Sequence, residues 1–407
     1  MGVAARFIVL YGLLYGAFGV SSPFMPRFFE SRGLSPEHVG LLFGLGTFVR
    51  LVSGPIAGRV ADLLGMLRAV LALCIVAAGG IALGLINADG LWMLLALGVI
   101  DAAVLAPTTT LADALALSAA APSGTTHPRF EYGWVRGAAS VAFIAGVFFA
   151  GQLLRTAALD AVVGAHAVLL AAAAVAVRFV PPLDRTGSVP TADMRSPVGG
   201  IEVLLRMPGF RRLVAVAALV LGSHAMHDSF AMVRWNAAGI GPAAGSVLWS
   251  ESVAAEVVVF LLIGPPLLER LGPSGAAALA ALAGLVRWTT MASTTSTVAL
   301  AVVQPLHGFT FALLHLACMR WIGAFVPPHL AATAQSIYAV GATAMTASMT
   351  IVSGPLYADF GAHGFLVMAL LCAVALPLTR GLRAATVDKA GMTDGQQVRD
   401  GSGSGIA

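Results

Sequence analysis

Charge is what this sequence has least of: Asp, Glu, Lys and Arg make up 10% of its 407 residues, while 58% are hydrophobic. Soluble domains carry about 25% charged residues, so a water-soluble globular chain is excluded. Lysine is scarcer still. The sole lysine, Lys389, follows Asp388 in place of Gly, which rules out a Walker A phosphate loop and transport driven by ATP bound to this chain. No H-E-x-x-H and no G-x-S-x-G occurs, so an enzyme is not expected. Cysteine is limited to Cys74, Cys318 and Cys372, all inside apolar runs and without metal-ligand spacing. Neither a disulfide framework nor a zinc site is expected, and no cofactor or resident metal. The net charge of +4 is scattered singly or in pairs between apolar runs, so nucleic acid is not an expected partner.

What fills the chain is apolar sequence of membrane-spanning length. Windows near 7–26, 37–57, 69–87, 91–117, 131–153 and 160–180, then 211–233, 244–265, 274–292, 298–319, 331–356 and 363–379, each read as one transmembrane helix. The expected fold is therefore all-α, a polytopic membrane protein with 12 transmembrane helices in two six-helix bundles. The first window is not a secretory signal, because no A-x-A-like cleavage site follows it, and Arg6 stands where a myristoylation signal needs Ser or Thr. An N-terminal bundle is expected at 1–180 and a C-terminal one at 210–385. Between them 181–209 holds Asp184, Arg185, Asp193, Arg195, Glu202 and Arg206 among Pro and Gly, and reads as a cytoplasmic linker. The polar tail, 386–407, contains Gly-Ser-Gly-Ser-Gly and reads as disordered. With the N-terminus inside, sixteen basic residues fall on the inner side and four on the outer. That asymmetry implies cytoplasmic termini on both ends and an inner (cytoplasmic) bacterial membrane.

Two bundles joined by one linker match the parallel repeat of secondary transporters, whose substrate site lies between the halves. A weak internal echo agrees, with Gly58, Asp62 and Gly65 after the second span and Gly264, Glu269 and Gly272 after the eighth. At Gly58, Asp62, Gly65 and Arg68 the sequence resembles the major facilitator superfamily, although Leu63 replaces the usual basic residue after the Asp. The segments Pro23-Phe-Met-Pro26, Arg32-Gly-Leu-Ser35, Ser223-His-Ala225, Ala255-Glu256-Val257, Val286-Arg287-Trp288 and Leu306-His307-Gly308-Phe309 are similar to its phenylpropionate-transporter-like branch. Met226, His227 and Asp228 stand where that branch leads into tyrosines. The C-terminal bundle also resembles the lactose permease type of proton symporter. In that type a Glu of span eight, an Arg of span nine and a His of span ten connect substrate to proton. The matching positions are Glu256, Arg287 and His307, while Thr310 stands where the proton-carrying carboxylate is found. Tyr132-Gly-Trp-Val-Arg136 resembles the segment whose Arg, paired with a span-four carboxylate, holds sugar hydroxyls; Asp113 is the candidate carboxylate.

Charges inside spans are costly and by default line a pathway or form a structural pair. Arg50, Asp113 and Arg136 fall at similar depth by helical rise, and we expect them to form a cluster. His224, His227 and Asp228 share a helix face by their i, i+3, i+4 spacing and read as polar cavity residues. The expected substrate-binding residues are thus Arg136, Asp113, Arg50, His224 and His227, and the expected proton-coupling residues Glu256, Arg287, His307 and Asp228. A movable Arg287 could switch Glu256 between proton-holding and proton-releasing states. Asp101 competes as a capped or water-exposed carboxylate, and Glu251 as a rim residue. His166 and His315 read as packing histidines.

The function expected from these residues is secondary active transport. The chain reads as a proton-coupled symporter importing a small organic solute by alternating access, functional as a monomer in the lipid bilayer. Its membrane arginines favour an aromatic carboxylate, with sugar or nucleoside open. A proton-coupled antiporter exporting drugs or metabolites is the alternative, since one fold serves both directions. A non-transporting membrane sensor would not account for embedded charges in both bundles.

Overall fold

The structure, a computed structural model, describes residues 1–120, 130–181 and 197–382. The expected tail at 386–407 and most of the expected linker lie outside the described residues. Among the described residues ten helical stretches are long and apolar enough to cross a membrane. Two of them, Pro242–Ser293 with 52 residues and Pro328–Leu382 with 55, would each run about 80 Å if straight, against a hydrocarbon core of about 30 Å. Both fold back. Gly272 takes φ 65° just before Pro273, and Gly361 takes φ 53°, a region that residues bearing a Cβ rarely enter. Each stretch therefore crosses twice, giving twelve crossings.

The first bundle comprises α1 (Val3–Ser21), the short α2 (Met25–Ser31), α3 (Pro36–Leu64), α4 (Leu67–Ile86), α5 (Leu91–Ala120), α6 (Tyr132–Leu153) and α7 (Leu159–Val177). A short α8 (Pro197–Arg206) precedes the second bundle, made of α9 (Pro208–Gly222), α10 (Ala225–Ala237), α11 (Pro242–Val258), α12 (Gly264–Ser293), α13 (Thr297–Val303), α14 (Leu314–Phe325), α15 (Ala331–Phe360) and α16 (Phe365–Thr379). Pro23, which lacks an N–H and clashes with the preceding turn, separates α1 from α2 within the first span. The seventh span also breaks, between Gly222 and Ala225, so Ser223 and His224 sit in the gap. Within the first bundle α1 packs on α6 and α7, and α5 on α3 and α4; within the second, α16 packs on α9 and α12, and α15 on α9. Leu73, Val76 and Leu83 of α4 and Val141, Phe148 and Phe149 of α6 are exposed. In water such a belt would be an aggregation surface, and in a bilayer it faces lipid.

The bundles meet through α3 against α15 and α6 against α11. At Gly40 a Cβ would stand 2.8 Å from backbone atoms of Thr350 and Gly354, and at Gly44 it would lie 2.9 Å from the Ala347 carbonyl. Gly151 abuts Ser246 in the same way. Small residues let helices approach to backbone contact, and these contacts all lie at the helix ends remote from Val3 and Thr379. Toward the face that carries those two residues the bundles part. A cavity of about 1210 Å³ opens there, lined near its mouth by Gly58, Asp62 and Leu67.

Candidate functional site

Two polar groups flank the cavity, one in each bundle. In the first, the Asp113 carboxylate of α5 accepts hydrogen bonds from Tyr11 (2.5 Å) and Tyr132 (2.7 Å). Arg136 of α6 lies 3.6 Å from the same Asp113 oxygen and donates to the Tyr15 hydroxyl at 2.5 Å, its guanidinium 5.3 Å from the Tyr15 ring centre. Tyr15 and Asp113 thus serve this cation while Tyr11 and Tyr132 hold the carboxylate, and the group ties α1, α5 and α6 together. Neither Asp113 nor Arg136 lines the cavity in this conformation.

Arg50 does not join them. It lines the cavity with Asp101 and makes no hydrogen bond or ion pair among the described residues. One Asp101 oxygen is buried, also without a hydrogen-bond partner among the described residues. The expected cluster of Arg50, Asp113 and Arg136 is thus divided, because equal depth along a span says nothing about which way a side chain turns around it. Phe18, Phe29, Phe43, Phe143, Trp249 and Phe311 supply apolar ring surface to the same cavity.

In the second bundle Arg287 of α12 is fully buried. Its guanidinium donates to Gln304 Oε1 at 2.7 Å, to His307 Nδ1 at 3.1 Å and to His227 Nε2 at 3.3 Å, and sits 4.5 Å from the Trp288 ring centre. A guanidinium has no acceptor, so both ring nitrogens facing it are bare and the opposite ones carry the protons. His227 Nδ1–H then points to Asp228 Oδ1 at 3.1 Å, and His307 Nε2 lies 3.5 Å from Glu256 Oε2. The result is a chain of polar groups running from Asp228 through His227, Arg287 and His307 to Glu256. Among the described residues no carboxylate lies within ion-pair distance of Arg287.

His224, His227, Asp228 and His307 line the cavity, whereas Glu256 and Arg287 stand behind it. The side chain of Asp228 is 54% exposed and that of His227 only 2%, so Asp228 is the wet end of the chain. His224 precedes the first residue of α10, packs 5.0 Å from the His307 ring and keeps a buried Nε2 without a partner among the described residues. Thr310 donates to the His307 carbonyl at 3.1 Å. Next to this group, spans eight and ten each contain one turn of π-helix, Val259–Ile263 and Phe309–Leu313, packed against each other. Such turns carry one extra residue and recur at functional sites.

Sequence reasoning missed Gln304, Tyr11 and Tyr15. Gln304 is an amide within an apolar span, three residues before His307 and so on its helix face, a signal strong enough to have found it. Tyr11 and Tyr15 are one turn apart on α1, where tyrosine is equally ordinary as packing. His166 Nδ1–H donates to the Ala17 carbonyl, 2.8 Å away, and His315 contacts the Tyr338 hydroxyl at 3.3 Å; neither lines the cavity.

The MFS_1 like family matches residues 5–368. The chain is 31% identical over 382 residues to the "Probable 3-phenylpropionic acid transporter" of Escherichia coli (strain K12), covering 92% of this chain and 96% of that protein. It is 22% identical to the "Uncharacterized transporter YwbF" of Bacillus subtilis (strain 168), over 76% of this chain and 75% of that protein. Among solved structures, the nucleoside transporter NupG superposes with a TM-score of 0.77 at 17% identity, covering 94% of this chain and 99% of NupG. A bacterial homologue of the human lysosomal transporter Spinster, in an inward-facing and unoccupied conformation, gives 0.71 at 15% identity, covering 94% and 96%. At those identities the two structures speak for the fold alone. The family match along nearly the whole chain, together with the identity to the first relative, makes this protein a member of the MFS_1 like family of the major facilitator superfamily, and a membrane transporter.

Proposed function

We propose that the transporter imports a small aromatic carboxylate together with a proton, and that Arg50 receives the carboxylate. The observation that carries this reading is the guanidinium of Arg50, without a hydrogen bond or ion pair among the described residues, inside a cavity walled by aromatic rings. Arg136 is occupied by Asp113 and Tyr15, and Arg287 by Gln304 and two imidazoles, so Arg50 is the cavity arginine with donors to spare. Phe29, Phe43 and Trp249 offer the ring surface that a phenyl group needs. The relative named as a probable 3-phenylpropionic acid transporter supports the same class. His224 and His227 complete the substrate wall, while Asp113 and Arg136 hold the first bundle in shape around it.

The proton travels on the polar chain of the second bundle. Thr310 offers no titratable group, so Glu256 carries the proton, with Arg287 and His307 setting its partner and Asp228 linking it to the cavity through His227. The bundles at 1–180 and 210–385 move as bodies about the connecting stretch 181–209, exposing the cavity to each face in turn. Both termini are cytoplasmic in a bacterial inner membrane, and one chain suffices, because the cavity is enclosed by a single chain.

The test is uptake of labelled 3-phenylpropionate into proteoliposomes by the wild type and by Arg50→Gln. A charge-assisted hydrogen bond contributes about 1.5–3 kcal/mol, so KM should rise about 10- to 100-fold in the variant. Neutral 3-phenylpropanamide should compete poorly in the wild type and as well as the acid in the variant. An unchanged KM in folded Arg50→Gln, or uptake blocked by nucleosides and not by aromatic acids, overturns the assignment.

A further inference from the structure

A second pocket, of about 530 Å³, lies away from the cavity, on the face that carries Val3 and Thr379. The start of α1, the start of α4 and the end of α7 converge on it, and each brings one arginine: Arg6, Arg68 and Arg178. Two of these side chains are tied in place by main-chain carbonyls. Arg6 donates to Phe179 O at 3.2 Å and to Met1 O at 3.3 Å, and Arg68 donates to Arg178 O at 3.3 Å. The Arg178 guanidinium has no hydrogen bond or ion pair among the described residues, and among those residues no carboxylate lines the pocket. Both α1 and α4 begin there without a side-chain cap and without an acidic residue in the first turn, so two positive helix ends and three guanidiniums outweigh the one negative helix end that α7 brings.

Such an arrangement attracts a phosphate. The tethers leave most of the ten N–H donors of Arg6 and Arg68 free, while sparing much of the entropy cost of ordering long side chains on binding. The rim separates a lipid from a free ion. Phe179 is 63% exposed and Met1 77% exposed beside the cations, at the level where the membrane helices begin, which is where an acyl-bearing headgroup presents its phosphate. We propose that this pocket binds the phosphate of an anionic phospholipid headgroup in the leaflet on this face.

Binding is tested on the delipidated full-length protein in a maltoside detergent. Thermal unfolding is followed on adding phosphatidylglycerol, phosphatidylcholine or inorganic phosphate, with lipid adducts counted by native mass spectrometry. The expected result is a rise in Tm with phosphatidylglycerol and not with the other two, with an apparent affinity at least tenfold weaker in Arg6→Gln/Arg178→Gln. Should the double variant fail to fold, Arg178→Gln alone carries the test, because its main-chain carbonyl still receives Arg68 and its side chain makes no hydrogen bond or ion pair among the described residues. An equal rise with inorganic phosphate, lost in the variants, would make the ligand a free ion and overturn the lipid assignment. Equal responses to both lipids, or a phosphatidylglycerol response intact in the variants, would remove the site.

Discussion

A donor-only side chain between two imidazoles fixes where their protons sit, and Arg287 does this for His227 and His307 at once. Each imidazole is left presenting an N–H to a carboxylate, Asp228 on the cavity side and Glu256 behind. Replacing Glu256 by Gln keeps an oxygen for His307 and removes the proton site. Glu256→Gln should therefore still exchange solute in counterflow at near wild-type rate but lose accumulation driven by a pH gradient, both measured in proteoliposomes. Accumulation surviving in that variant would move the coupling role to Asp228. The residues Glu256, Arg287 and His307 were legible through their family motifs; His307 stands beside each of the other two, with no ion pair between Glu256 and Arg287 among the described residues. The surroundings of Arg50 were not legible. Depth is one coordinate of three, and the azimuth that turns Arg50 toward Asp101 and away from Asp113 is set by how α3 packs on α5.

Helices announce themselves in this chain because a bilayer leaves the backbone no other way to satisfy its hydrogen bonds, and so every expected span has its helix. Interruptions are harder to read. The break at Pro23 follows from a single residue, whereas the gap at Ser223 and His224 has no proline to mark it, and the π turns at Val259–Ile263 and Phe309–Leu313 have Pro265 and Pro266 just after the first and Pro305 just before the second. Close packing accompanies the π turns: Gly308 lies so near the Ala255 carbonyl that a Cβ would stand 2.7 Å from it, a tertiary contact invisible to a window of sequence. The glycine crossing of α3 and α15 is of the same kind. At Gly354 a Cβ would stand 2.8 Å from Glu37 Cα and the Pro36 carbonyl, backbone atoms that cannot yield as a flexible side chain can. Gly354→Val should thus disfavour the state described here and shift the protein toward one open on the opposite face. Cysteines placed at Thr47 and Thr346, deep in the cavity, would then react faster with reagent supplied from that face. Unaltered reactivity from both faces would show that the crossing tolerates a side chain.

For the molecule as a whole, the positive-inside asymmetry and the pocket at 6, 68 and 178 bear on the same face. Single cysteines at Leu64, 61% exposed on that face, and at Asp89, in the turn between α4 and α5, give its orientation directly. In a background lacking Cys74, Cys318 and Cys372, a membrane-impermeant maleimide applied to intact cells should label Asp89→Cys and spare Leu64→Cys. The reverse pattern would invert the topology. The closed crossing has an electrical consequence. An aqueous cavity reaching from one face down to a thin layer of backbone contact lets ions carry that face's potential almost to the layer, so the membrane voltage drops across a few ångströms near Gly40 and Gly354. A lone carboxylate passing that layer would do work of about 2.3 kcal/mol per 100 mV. A carboxylate accompanied by one proton carries no net charge through it, so its flux would follow the pH difference and be indifferent to voltage.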